Sequence, residues 1–124
     1  MLFRSAVASA SAQSGSPIRI LVGVTPGGST DIVARILAEK LRVSLGEAVV
    51  VENKPGAAQR ASMAELLKSP ADGRTLLYGS SALYCIIPHI YGAETGFDPF
   101  KDVTPLSRVS SVPDRKSTRL NSSH

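Results

Sequence analysis

The chain has 124 residues, of which 43% are hydrophobic and 19% charged, with 14 lysines and arginines against 10 acidic residues. This composition fits one small globular domain and argues against intrinsic disorder, since disordered chains combine low hydrophobicity with high net charge. One cysteine and two histidines exclude a disulfide framework and a zinc cluster, and the sequence lacks the run of about 18 apolar residues that spans a membrane as a helix.

The positive charge lies at the two ends of the chain. Residues 1–5 (MLFRS) and 114–124 (DRKSTRLNSSH) together carry four basic residues and one acidic residue. Both strings resemble a translated sequencing adapter, read on opposite strands, so we interpret them as artefacts outside the fold. The alternative is a natural basic tail. The remaining residues hold 10 basic and 9 acidic side chains, a net charge of +1, so we expect no nucleic-acid partner.

Residues 6–16 (AVASASAQSGS) are small and polar, without periodicity. Within them, Ala10-Ser11-Ala12 fits the small-x-small rule for a signal-peptidase site. This segment is interpreted either as the remnant of a secretory signal peptide or as a plain linker.

A run of β-branched residues over 18–24 predicts a first strand, buried on both faces. Helical spacing then predicts a helix over 31–45, with Ser29 or Thr30 as its N-cap and Gly46 just past its end. The apolar side chains that recur at helical spacing, and so form its expected core face, are Ile32, Val33, Ile36, Leu37, Leu41 and Leu45.

The remaining pattern predicts strands over 48–52 and 75–78 and a helix over 61–68, separated by turns. Strand and helix alternation with short loops is typical of an α/β layer with a parallel sheet flanked by helices, in the order β-α-β-α-β. The pattern is weaker afterwards: one or two helical turns over 82–87 and the start of a fourth strand over 103–112.

Three side-chain environments are also predicted in this last part of the chain. Cys85 is expected to be a small buried hydrophobe and His89 a surface or partly packed imidazole. The aromatic side chains of Phe97 and Phe100 are expected to dock on the body of the domain.

Ligands of open α/β sheets bind beyond the carboxyl ends of the strands, where the loops 25–30, 53–60 and 79–82 are expected. The first loop, PGGST, combines flexible glycines with a helix N-terminus, which suits a carboxylate guest. It is not GxGxxG and lacks the lysine of a phosphate-binding loop, so a nucleotide is disfavoured. The alternative is a tight turn with an ordinary N-cap.

Asp31 follows this loop in the first helical turn, where a carboxylate is stabilising without any function. It would repel an anionic ligand, unless it faces an ammonium group or only orders the loop. Ser80 and Ser81 follow the third strand, but they are not in a GxSxG turn and no base lies near them in sequence. We therefore expect binding rather than catalysis.

Several motifs occur together in one order: PIRILVGVTPGGSTDIVARILAEKL, VVVENKPGA, ADGRTLLYGSS, PHIY and FDPFKDVTPLSRV. Over residues 17–113 the chain resembles the extracytoplasmic solute receptors of tripartite tricarboxylate transporters, also called Bug proteins. The resemblance implies a periplasmic, two-lobed α/β binding protein that is not an enzyme and needs no cofactor. Its implied partners are membrane permease subunits and a small carboxylate: a dicarboxylate, a tricarboxylate, an acidic amino acid or an aromatic acid.

The resemblance also implies which residues contact the solute, and it assigns residues 17–113 to the N-terminal part of the first lobe. Since only this first part of the family's length is matched, we expect that the chain does not bind solute tightly on its own. The implied ligand-binding residues are Thr25, Pro26, Gly27, Gly28, Ser29, Thr30 and Asp31 in the first loop, and Ser80 and Ser81 after the third strand.

Two segments depart from the family pattern. Residues 58–62 (AQRAS) stand where the pattern usually reads Gly-Gly-Asn-Ile-Gly, and Ile87 stands where Asn is common. The new Arg60 either pairs with a ligand carboxylate or is a solvated surface charge. Both departures bear on which ligand fits.

Two alternative functions remain open from the sequence. One is a Rossmann-like enzyme domain that binds a nucleotide or phosphate, with Glu52 near the end of the second strand holding a ribose. The other is a small nucleic-acid binder, which rests entirely on the terminal charges.

Overall fold

The computed structural model describes residues 15–111. The segments 1–5 and 114–124, interpreted as adapter, lie outside these residues, and so does most of the segment 6–16. Their assignments stay predictions. Within the described range, no helix combines the length and the apolar character that crossing a membrane requires.

Among residues 15–111, three parallel strands form one sheet: β1 (Ile18–Val22), β2 (Val49–Asn53) and β3 (Thr75–Tyr78). The strand order is β2-β1-β3, so β1 is hydrogen-bonded along both of its edges. Leu21 and Val22 of this central strand are fully buried, as its continuous apolar run predicts. The predicted α/β fold with a parallel sheet is confirmed.

In the described part of the chain, three helices flank the sheet: α1 (Ser29–Leu45), α2 (Arg60–Lys68) and α3 (Ile87–Tyr91). Short helical turns of other types cover Ala57–Gln59, Ala82–Ile86 and Gly92–Thr95. On one face of the sheet, Ala34 and Ala38 of α1 pack against β1. A second apolar cluster, built on Met63, Leu83 and Ile87, packs with Leu77 of β3. The sheet is therefore sandwiched between helical segments.

A glycine lies at each end of α1. Gly46 ends the helix in the left-handed conformation (φ 67°), as predicted. The predicted N-cap is wrong: Gly28, with extended backbone (φ −74°, ψ 166°), occupies it, and Ser29 and Thr30 lie inside the first turn. Glycine is an acceptable N-cap, and here the Asp31 side chain reaches back to the loop instead.

The predicted core face of α1 is also wrong in part. Ile32 and Ile36 are 53% and 57% exposed, whereas Ala34 and Ala38 are buried. The helix is rotated because Asp31, which shares a stripe with these alanines, is bound to the end of β2. The small alanine side chains then allow the helix backbone to lie close to the sheet.

Several expectations for the segment after β3 fail. Cys85 is exposed, because Leu83 and Ile87 on the same two turns point into the core. Phe97 packs against the Met63 cluster as expected, but Phe100 is 88% exposed. His89 is exposed, in agreement with the sequence.

No fourth strand forms over the described residues 103–111, and Val112 lies beyond them. The Tyr78 hydroxyl and Ser110 Oγ, 2.8 Å apart, join this segment to the end of β3 by a side-chain contact.

Candidate functional site

Three loops leave the sheet at one edge. Because the three strands are parallel, the residues that follow Val22, Asn53 and Tyr78 all emerge at the carboxyl end of the sheet. The stretch from Thr25 to Ser29 is exposed at this edge. The predicted site residues lie in two of these loops: Thr25, Pro26, Gly27, Gly28, Ser29, Thr30 and Asp31 after β1, and Ser80 and Ser81 after β3.

Asp31 lies beneath the first loop and is only 2% exposed. Its Oδ2 accepts hydrogen bonds from the Gly27 N–H at 3.0 Å and from Arg35 Nε at 2.9 Å, and its Oδ1 accepts from Asn53 Nδ2 at 2.8 Å. The hydrogen bond from Arg35, followed by those from Asn53 and Gly27, lowers the pKa of Asp31 to about 2. The carboxylate is thus held by the protein and orders the loop.

Asn53 connects this loop to β2. Its Nδ2 donates to the Val24 carbonyl at 3.0 Å as well as to Asp31, and its Oδ1 accepts from Arg35 Nη2 at 3.1 Å. The sequence predicts only that Asn53 begins the loop 53–60, and this role is not apparent from it. The spacing of Arg35 four residues after Asp31, typical of a helical ion pair, was the available signal.

The glycines of the first loop determine its backbone conformation. Gly27 has φ +94°, which side-chain-bearing residues rarely adopt, although a Cβ there would meet nothing within 4 Å. Its N–H donates to Asp31 and is therefore directed into the protein, not towards a ligand. The first-turn N–H groups of α1, at Ser29 and Thr30, have no acceptor within the helix, and they follow directly on the exposed loop.

The loop after β2 holds three consecutive non-glycine residues with positive φ: Ala57 (45°), Ala58 (55°) and Gln59 (70°). Each such residue costs about 1–2 kcal/mol relative to ordinary backbone. These positions overlap the segment that departs from the family pattern. The departure from the family pattern indicates the lost glycines, but it predicts no role for Gln59.

Ser80 and Ser81 differ in environment. The Ser80 N–H donates to Gln59 Oε1 at 3.2 Å, and Ser80 Oγ is buried without a hydrogen-bond partner among residues 15–111. Ser81 is exposed and begins the helical turn that follows. The structure therefore ties Ser80, but not Ser81, to the loop after β2.

Arg60 packs on an aromatic ring. Its guanidinium carbon lies 4.2 Å from the centroid of the Tyr91 ring, and its Nε donates to the Ala57 carbonyl at 3.2 Å. Such a cation–π contact stabilises the charge locally. Arg60 is thus neither a fully solvated surface charge nor a side chain reaching into the open edge.

Glu52, the residue on which a ribose-binding enzyme depends, is engaged elsewhere. Arg19 donates from Nε and Nη2 to its two oxygens, each at 2.7 Å, and this pairing lowers the pKa of Glu52. Glu65 of α2 also contacts Arg19, at 3.3 Å. Glu52 is thus part of an ion-pair network that joins β1, β2 and α2.

Comparison with known proteins agrees with this architecture. A family model described as the tripartite tricarboxylate transporter family receptor matches residues 33–119. The chain is 38% identical over 109 residues to protein BugT of Bordetella pertussis, covering 88% of this chain and 33% of that protein. It is 40% identical over 95 residues to a UPF0065 protein of Cupriavidus necator, covering 76% of this chain and 28% of that protein.

Two solved structures share the fold. One is described as a periplasmic transporter (TM-score 0.65, 35% identity, covering 68% of this chain and 28% of that one). The other is the periplasmic binding protein BugD (TM-score 0.61, 36% identity, covering 69% of this chain and 28% of that one). The chain spans about a third of the length of the curated relatives that it matches. By the extent of the family match, the chain belongs to the tripartite tricarboxylate transporter receptor family.

Proposed function

We propose that residues 17–111 form part of the first lobe of a periplasmic receptor that binds a small carboxylate for a tripartite transporter. In this proposal the solute carboxylate contacts the loop 25–30 together with Ser80 and Ser81, and Asp31 contributes by ordering that loop. Permease subunits in the membrane receive the solute, and the segment 6–16 is the remnant of the export signal. The proposal involves neither catalysis nor a cofactor.

One observation carries this proposal. The N-terminus of the 17-residue helix α1 opens at the carboxyl edge of the sheet, and the nearby acid, Asp31, is paired beneath it with Arg35 and hydrogen-bonded to Asn53. Helix N-termini attract anions through their unpaired N–H groups and the positive end of the helix dipole. Because the Arg35 guanidinium offsets the charge of the Asp31 carboxylate, the repulsion of a second carboxylate at the open edge is reduced.

The affinity expected from these groups alone is low. One helix N-terminus contributes about 1 kcal/mol and each charge-assisted hydrogen bond about 2 kcal/mol, which together give a dissociation constant in roughly the millimolar range. Tight binding requires further contacts from the rest of a receptor. We therefore expect little thermal shift of the 124-residue chain with citrate, succinate, glutamate or nicotinate at low concentration.

Nuclear magnetic resonance detects binding of this strength residue by residue. We propose titrating the ¹⁵N-labelled chain with succinate to tens of millimolar, with sodium chloride at equal ionic strength as the control. The amide signals of residues 28–30 and 80–81 should shift, while those of residues 69–73, at the opposite edge of the sheet, should not. Shifts spread evenly over the surface, or identical shifts with chloride, would overturn the proposal.

Ser29 offers a variant that removes one donor and leaves the helix intact. Proline is tolerated at the first helical position, and the extended backbone of Gly28 (ψ 166°) suits a residue that precedes proline. Ser29→Pro deletes the Ser29 N–H and hydroxyl, whereas the matched Ser29→Ala deletes only the hydroxyl. Succinate affinity should fall several-fold in Ser29→Pro and by less in Ser29→Ala. Equal affinities in the two variants would contradict the role of the N–H.

A further inference from the structure

Gln59 lies between the ends of β1 and β3. Its Cβ and Cγ cover Gly23 so closely that a Cβ on that glycine would lie 2.6 Å from each of them. Its Oε1 accepts the Ser80 N–H at 3.2 Å, and its backbone carbonyl accepts the Ser62 hydroxyl at 2.7 Å. One side chain thus joins the three loops at the open edge of the sheet.

The contact with Ser80 fixes the orientation of the Gln59 carboxamide. A backbone N–H only donates, so the amide oxygen must face Ser80 and the NH₂ group must point away from it. Within the described part of the chain, this NH₂ group makes no hydrogen bond with another residue. Ser80 Oγ, on the neighbouring residue, is likewise buried without a partner. Two donor groups on these hydrogen-bonded residues are therefore without a partner among residues 15–111.

The backbone of the loop after β2 is strained at Gln59. Gln59 has φ +70°, and Ala57 and Ala58 before it are also in the left-handed region. Glycine adopts this conformation without cost, whereas a side chain there needs compensation from its surroundings. The packing over Gly23 and the bonds to Ser62 and Ser80 supply this compensation.

We propose that Gln59 is a specificity-determining residue that, with Ser80 Oγ, donates hydrogen bonds to a carboxylate of the solute. This inference rests on the proposed function and adds a residue to its site. The amide NH₂ group only donates, so it favours an anionic acceptor and offers nothing to an ammonium group, and the Ser80 hydroxyl can donate to the same acceptor. The pair thereby selects for the carboxylate end of the solute.

Gln59→Glu tests this role with little change of shape. A glutamate still covers Gly23 and still offers an oxygen to the Ser80 N–H, but it loses the NH₂ donors and adds a negative charge. Ala71→Glu is the matched control, because it adds the same charge at the exposed amino edge of the sheet. Succinate affinity, measured by the titration described above, should fall about tenfold in Gln59→Glu and change less than about twofold in Ala71→Glu.

The wild-type chain gives an independent readout should Gln59→Glu fail to fold. The side-chain NH₂ signals of Gln59 should shift during the succinate titration in step with the Ser80 amide. If the amides of residues 28–30 shift while the Gln59 NH₂ signals stay fixed, the proposal for Gln59 is wrong and the carboxylate site stands. If no signal shifts at any residue, both proposals fail together.

Discussion

Asn53 Nδ2 donates to Asp31 Oδ1 at 2.8 Å, so a residue at the end of β2 holds the first turn of α1. The same NH₂ group donates to the Val24 carbonyl, at the start of the loop that follows β1. An amide group carries two donors, and both are used here to fix the two ends of one loop. The geometry of the candidate site therefore depends on a side chain from a different strand.

Acid should weaken the fold through Asp31. The hydrogen bond from Arg35, with those from Asn53 and Gly27, lowers the pKa of Asp31 to about 2 from an ordinary value of 3.8. Between these two pH values, Asp31 binds a proton more tightly in the unfolded chain than in the folded chain. The contribution of Asp31 to stability is therefore complete above about pH 4 and is lost as the pH falls towards about 2.

Asp31→Asn removes this titrating group, so the free energy of unfolding should depend less on pH in the variant. Urea denaturation of both proteins between about pH 5 and pH 2 measures the difference. Wild type should lose more stability across this range than the variant does. If the free energy of unfolding depends on pH equally in both proteins, the hydrogen bonds to Asp31 do not lower its pKa in the folded chain.

Ala58→Gly should stabilise the chain. Ala58 has φ +55°, where a Cβ costs about 1–2 kcal/mol, whereas the added freedom of glycine in the unfolded chain costs about 0.5–1 kcal/mol. The expected net gain is about 0.5–1 kcal/mol in the free energy of unfolding, measured with urea. Ala64→Gly, on the exposed face of α2, is the control and should lose about 1 kcal/mol. A loss in both variants would mean that the loop is not strained.

Gly23→Ala should be destabilising by about 2 kcal/mol, because its Cβ would lie 2.6 Å from Gln59 Cβ and Cγ and 2.8 Å from Ser62 Oγ. Gln59→Gly removes the first two of these contacts. In that background, Gly23→Ala should cost about 1 kcal/mol less, a coupling that a double-mutant cycle of urea denaturation measures. Additive effects would show that the two residues do not compete for the same space.

Cys85 should react in the folded chain. Its side chain is exposed, on the outer side of the helical turn that buries Leu83 and Ile87. A disulfide reagent such as Ellman's should modify one thiol per chain at a similar rate with and without urea. A large acceleration in urea would instead agree with the buried cysteine that its apolar neighbours suggest.

The strands and their parallel order could be predicted because the signals are local. The β-branched run of β1 and the helical spacing that follows it determine their elements without long-range contacts. The rotation of α1 could not be predicted, since it depends on Asp31 reaching Asn53, which lies 22 residues away in sequence. Composition also favoured the bulky Ile32 and Ile36 as core residues, whereas the close approach of the helix to the sheet selects the alanines.

The candidate site was predicted only in part, because it too depends on contacts between residues that are distant in sequence. The PGGST loop lies between a strand and a helix, and that position alone predicts a helix N-terminus. The contribution of Gln59 depends on its left-handed backbone and on the backbone of Gly23, neither of which is apparent from residue type. Burial of Ser80 Oγ likewise follows from packing between loops that are distant in sequence.

The contact between Gln59 and Gly23 also restricts the order in which the chain can vary. A side chain at residue 23 is tolerated only after residue 59 has become smaller, whereas residue 59 is free to lose its side chain first. Related receptors that carry alanine at the position of Gly23 should therefore carry glycine at that of Gln59.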